Sequence, residues 1–149
     1  MASTDRTTIE ALSVARNLAR ALNAHDLERI ESLHRQDFTG YDTGRPTPIV
    51  GAQEIRNIFG YAFAGLPDFR VQVVDFIKDG SRIATRWRVE GTHRGTLLNI
   101  PPTLRQVSFE GYTVLTVQGD CIKSSHTLWD MAGLLRQLGL LPALPNERT

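Results

Sequence analysis

Apolar positions recur at spacings of three and four over residues 9–23, where Ile9, Leu12, Ala15, Leu18, Ala19 and Leu22 share one helical face. Thr7 or Thr8 is placed to cap that helix, with Glu10 in its first turn. His25-Asp26 breaks the pattern, and Asp26 can cap a second short helix carrying Leu27, Ile30 and Leu33. The run 39–48 is dense in turn formers and reads as a loop. A third helix over 53–63 sets Ile55, Ile58, Phe59 and Ala62 on one side and stops at Gly65 and Pro67.

From Phe69 onward the period falls to two. Phe69, Val71 and Val73 alternate with Arg70, Gln72 and Val74, and Lys78-Asp79-Gly80-Ser81 is a hairpin turn signal. Further strands follow over 83–92, 107–117 and 121–128, and helical spacing returns over 129–141 until Gly139 and Pro142 end it. Three helices, four antiparallel strands and a closing helix make an α+β order rather than a βαβ one. A strongly curved antiparallel sheet with helices on one face would enclose a cone-shaped cavity fit for a small molecule.

Strand parity sorts the candidate chemistry. Thr85, Trp87, Val89, Gly91 and His93 share one side, against Arg86, Arg88, Glu90 and Thr92 on the other. The first set holds the aromatic and apolar groups, so it is expected to face the cavity, with His93 at the sheet's end. An imidazole there suits proton shuttling; hydrogen bonding within the loop near Gly95 is its plainer role. On the next strand Phe109, Gly111, Thr113, Leu115 and Val117 lie together, Gly111 leaving room for a ligand or a bulge. Glu110 and Tyr112 fall with Arg86, Arg88 and Glu90 on the opposite face, whose mixed charge suits a self-complementary homodimer contact. Tyr41 can donate to a developing oxyanion or simply cover the cavity mouth, and Phe59 and Phe63 are wall or plain core. Asp130 either caps the last helix or takes part in catalysis.

Composition narrows the class. The 149 residues fit one domain, with residues 1–8 and 143–149 as expected tails. A net charge of +1 leaves no basic face for nucleic acid, and no apolar run approaches the ~18 residues of a membrane span. The single cysteine, Cys121, excludes an internal disulfide and fits a reducing, cytoplasmic setting. His25 and His34 stand nine apart with no ligand spacing, and no glycine-rich phosphate loop is present, so neither a metal nor a nucleotide cofactor is expected.

The segments GTHRG (91–95) with the following IPPT (100–103), and the terminal WDMAGLLRQLG (129–139), resemble the SnoaL-like polyketide cyclases, over roughly 11–142. That resemblance implies the nuclear-transport-factor-2-like cone-shaped α+β barrel, with N-terminal helices packed on a strongly curved antiparallel sheet. It implies cofactor-independent ring closure or a related rearrangement of an apolar or polycyclic intermediate in natural-product biosynthesis. The alternatives are a cofactor-free hydrolase or hydroxylase of the same fold, or a non-catalytic binding or dimerisation module. The chain departs from the family at two titrating positions: Thr127 stands where many members carry the acid/base Asp, and Thr113 where some carry His. His126 takes a place usually held by Trp, before Trp129. The expected catalytic set is therefore His93, Thr127, His126 and Asp130. The substrate-binding set is Tyr41, Phe59, Phe63, Trp87, Phe109, Gly111, Thr113 and Trp129.

Overall fold

The computed structural model describes residues 2–145. Helix α1 (Ala2–Asn23) and α2 (Leu27–Ser32) lead into strand β1 (His34–Asp42), the two-residue β2 (Ile49–Val50) and α3 (Ala52–Gly65). Strands β3 (Arg70–Asp79), β4 (Arg82–Thr92), β5 (Gln106–Gln118) and β6 (Cys121–Trp129) follow, and α4 (Met131–Gln137) closes the chain. Among the described residues the strands form one sheet in the order β2-β1-β6-β5-β4-β3. Helices pack against this curved sheet, as the α+β reading expects.

The local rules explain most boundaries. Asp26 caps α2 by accepting the Arg29 N–H at 3.0 Å, and Asp130 caps α4 by accepting the Gly133 N–H at 2.8 Å. The apolar face of α1 buries Ala11, Val14, Ala21 and Leu22 against the sheet, beside Ile83, Leu115 and Val117. Bulges between Val73 and Asp75 and between Thr116 and Val117 interrupt the antiparallel ladders. Such bulges bend a strand and increase its twist, which curls the sheet around its helices.

Four sequence expectations are corrected. Residues 39–48 are not all loop: β1 occupies 34–42, so the sheet has six strands, and β1 runs parallel to β6 rather than antiparallel. Its pattern is obscured by turn-forming Gly40 and Asp42 and by a register shift between His34 and Thr39. The helix expected to begin at Ile9 starts at Ala2, so residues 2–8 are helical and Thr7 and Thr8 lie within the helix rather than at its cap. Finally, Trp129 is the last residue of β6, not the first of the closing helix. Within the expected tail at 143–149, residues 146–149 lie outside the described residues. No helix among the described residues is long and apolar enough to cross a membrane.

Candidate functional site

Between the helices and the concave face of the sheet lies a cavity of about 360 Å³. Its helical wall comes from Leu18, Leu22, Ile55, Ile58 and Phe59, and its sheet wall from Val89, Trp87, Phe109, Leu115 and Trp129. These are the side chains that the two periodicities, 3.6 and 2, direct to one interior. Polar groups are few, and most gather where β1, β5 and β6 meet.

There, Trp87 Nε1–H donates to Thr113 Oγ1 at 2.9 Å, and Thr113 Oγ1 lies 3.0 Å from Thr127 Oγ1. This chain holds three hydrogens, on one indole nitrogen and two hydroxyls, but only two internal bonds. Whichever way the hydroxyls turn, one hydroxyl hydrogen is left over. Thr113 and Thr127 both line the cavity, so the spare donor serves whatever occupies it. The register places Asp42 on β1 beside Thr127 on β6, on the same cavity wall. Asp42 Oδ1 accepts from Trp129 Nε1 at 2.9 Å and from the Gly44 N–H at 2.7 Å. Asp42 thus fixes the second indole while tying down the turn after β1.

A second polar group that the sequence reading passed over lies farther along the cavity. His34 is buried and lines the cavity wall, and its Nδ1–H donates to the Ile30 carbonyl at 2.7 Å. Its ring edge meets Phe38 in a T-shaped contact. Burial pushes its pKa below the ordinary value, an effect only partly opposed by the Ile30 hydrogen bond. Ile122, its partner on β6, is five residues from Thr127, about 16 Å at ~3.3 Å per residue. His34 therefore meets a different part of any ligand than Thr127 does.

The lowered His34 pKa fixes a pH dependence of stability. The unfolded chain binds a proton near pH 6.5 while the folded chain does so only at lower pH. This contribution is complete above about pH 6.5 and is lost as pH falls through that window toward the folded value. The urea midpoint is expected to drop between pH 7.5 and pH 5.5. In His34→Asn, whose amide can still donate to Ile30, that part of the drop should vanish.

His93 is not on the cavity wall, contrary to the parity argument. The chain leaves the sheet after Thr92, and His93 pairs with Arg105, its backbone N–H donating to the Arg105 carbonyl at 2.9 Å. Its ring is fully buried, and its Nδ1 accepts the Thr103 N–H at 3.2 Å and lies 3.0 Å from the Thr103 hydroxyl. An acceptor Nδ1 leaves the ring hydrogen on Nε2, which is sealed away with no hydrogen-bond partner. The plainer of the two expected roles, loop bonding, is the one this geometry supports. Thr92 fastens the same corner, its N–H and hydroxyl both donating to Asp68 and holding that carboxyl below the usual range.

The remaining candidates divide. Tyr41, Phe59, Trp87, Phe109, Thr113, Thr127 and Trp129 line the cavity. Phe63 does not; it stacks on His25 with ring centroids 4.2 Å apart. Gly111 makes room for protein, since a Cβ there would sit 2.5 Å from Trp87 and 2.7 Å from Trp129. His126, expected in the catalytic set, faces the other side of β6 from Thr127, exposed and stacked on Tyr41 at 4.8 Å. It is absent from the main cavity and borders an outer groove that Tyr41, Asp42 and Thr127 line as well. Asp130 is occupied as the α4 cap and is absent from the wall. Among the described residues no cluster of three or more His, Cys, Asp or Glu is arranged to hold a metal ion.

Similarity to known proteins agrees with this arrangement. No curated relative matches the chain. AclR of Streptomyces galilaeus, provisionally described as a hydroxylase, superposes with a TM-score of 0.83 at 23% identity over 93% of this chain and 91% of its own. IdmH of Streptomyces antibioticus, provisionally described as a polyketide cyclase, gives 0.75 at 26% identity over 87% and 98%. TsrD of Streptomyces laurentii gives 0.80 at 19% identity over 89% and 97%. The sequence model of the SnoaL-like polyketide cyclases matches residues 12–138. With that match spanning most of the chain, on a sheet curled around one apolar cavity, the protein belongs to the SnoaL-like polyketide cyclase family.

Proposed function

We propose that this protein takes an apolar, multi-ring biosynthetic intermediate into the cavity and catalyses its ring closure or a related proton-transfer rearrangement without a cofactor. One observation carries the reading. The wall is apolar over most of its area, while a spare hydroxyl donor and a carboxylate are concentrated at one place on it. Apolar walls fold a flexible substrate into a reactive conformer, and well-oriented positioning can remove up to ~7–11 kcal/mol from a barrier. The polar end then supplies hydrogen bonding where charge develops.

The two tryptophans of the chain, Trp87 and Trp129, both line the cavity, so intrinsic fluorescence reports its occupancy. Titration with anthrone, a tricyclic ketone, is expected to quench that fluorescence saturably. Ala19→Phe, which fills the cavity from α1, should weaken the binding at least tenfold. Quenching that rises linearly without saturation overturns the reading.

The same proposal includes a homodimer through the outer face of the sheet. Arg88 pairs with Glu110 at 2.7 Å on that face, beside exposed Tyr112 and Leu128. Alternating charge and apolar surface of this kind can meet its own copy about a two-fold axis. Light scattering at micromolar concentration is expected to return twice the 16.6 kDa chain mass; the single-chain mass refutes the dimer.

A further inference from the structure

Thr113 and Thr127 present only hydroxyls, which are not bases near neutral pH, so the cavity needs a base from elsewhere if it moves protons. Parallel pairing of β1 with β6 supplies one. Asp42 and Thr127 are register partners, their Cα atoms about 4.8 Å apart as neighbours across a sheet. Both side chains line the same wall.

The carboxylate is oriented on one oxygen only. Oδ1 takes both hydrogen bonds, from Trp129 Nε1 and the Gly44 N–H, whereas Oδ2 takes none among the described residues. Oδ2 is also not among the sealed, partnerless atoms, of which His93 Nε2 is the one found among the described residues. It is therefore reachable. Arg45, the nearest guanidinium in sequence, pairs with Glu54 at 3.6 Å instead of with Asp42. Asp42 is held at a fixed angle with a free, accessible oxygen, next to a hydroxyl that has a hydrogen to give.

Resting on the proton-transfer reading above, we infer that Asp42 is the general base of this cavity and that Thr127 is the donor to the oxygen it charges. The ligand class is a carbonyl compound with an acidic α-C–H and a second carbonyl within the same molecule. Asp42 Oδ2 takes the α-proton, and the C–H electron pair moves through the new C=C bond onto oxygen. That enolate oxygen receives the spare hydrogen bond from Thr127. The enolate carbon then attacks the second carbonyl, forming the C–C bond and leaving an alkoxide. The proton on Asp42 returns to that alkoxide, so the base is regenerated and the net reaction is an isomerisation. No oxidant, metal or second reactant enters the balance. The tie between Asp42 and Trp129 adds a link to binding, because the indole that lines the cavity is positioned by the same carboxylate.

The test uses 5-nitrobenzisoxazole, an apolar bicycle whose ring opens when a base removes its carbon-bound proton. The N–O bond breaks, leaving a nitrile and a coloured phenolate whose oxygen can take the Thr127 donor. The purified protein is expected to exceed acetate at equal pH and concentration. Asp42→Asn keeps an oxygen for Trp129 and Gly44 but removes the base. It should lower the rate by ~10²–10⁴-fold, the usual worth of a positioned acid/base. Anthrone quenching should be unchanged in that variant. If Asn at this position disturbs the turn and quenching is lost, Thr127→Val is measured by the same pair of assays, and retained quenching with a rate within threefold of wild type overturns the assignment.

The outcomes separate the two claims. Retained quenching with a variant rate within threefold of wild type overturns Asp42 as base and leaves the cavity reading standing. A wild-type rate no better than acetate, with anthrone bound, does the same. Absence of saturable anthrone quenching in the wild-type protein overturns the cavity reading, and the base assignment falls with it.

Discussion

Gly95→Ala should lower stability by an amount at the upper end of the ~1–3 kcal/mol that overpacking costs. The reason is a backbone approach that no side-chain rotation can relieve. The N–H groups of Arg94 and Gly95 donate to the Gly65 carbonyl at 3.1 and 3.2 Å. A Cβ at position 95 would run into the carbonyl oxygen of Ala64, in the last turn of α3. Gly65 is the reciprocal half, since a Cβ there would lie 2.9 Å from both Leu97 and the Thr96 carbonyl. Urea unfolding should show a lower midpoint with an unchanged slope, the signature of lost stability without a change in surface exposed. A midpoint within experimental error of wild type would mean that the loop simply lifts away from α3. His93→Gln, at the same corner, should leave turnover of 5-nitrobenzisoxazole near wild type, because His93 does not reach the cavity.

That corner also explains why one motif misled the sequence reading. GTHRG and IPPT stand out together because they are bonded together: His93 accepts from Thr103, and Gly95 lets the loop lie against α3. A motif of this sort marks a demanding backbone, and the demand here is structural. Parity placed Trp87, Phe109 and Thr113 correctly, and all three reach the cavity wall. It failed at His93 because alternation was carried one residue past the end of β4. Phe63 failed for a different reason. It shares a face of α3 with Phe59 but sits one turn farther along, where it stacks on His25 instead.

The larger loss was β1. Its partner β6 is some eighty residues away and parallel, so no turn chemistry between them announces the pairing. The register shift after His34 also removes the strict alternation that identifies a strand. Losing β1 meant losing what it positions. His34 was weighed only as a metal ligand and Asp42 only as part of a loop. Both are cavity residues, and the register sets Asp42 beside Thr127.

Thr127 is where the catalytic and vestigial readings part. Thr127→Val keeps the shape of the side chain and removes the hydroxyl. Thr113 would then carry the spare hydrogen, but it lies one strand farther from Asp42. Turnover of 5-nitrobenzisoxazole is expected to fall ~10²-fold, at the lower end of the loss seen when one oxyanion donor is removed. Thr127→Asp restores the family carboxylate, yet it is expected to do at least as much harm. It removes the same donor, sets a negative charge where the phenolate develops, and brings two carboxylates into adjacent register. Like charges that close oppose each other's ionisation, so the first proton is held to higher pH. The neutral-pH rate should drop below that of wild type. In a pocket that had merely decayed from an active ancestor, the same substitution would replace a missing base and raise the rate. A gain of activity in Thr127→Asp, with wild type inert, would therefore remove Asp42 from the mechanism and favour the non-catalytic module.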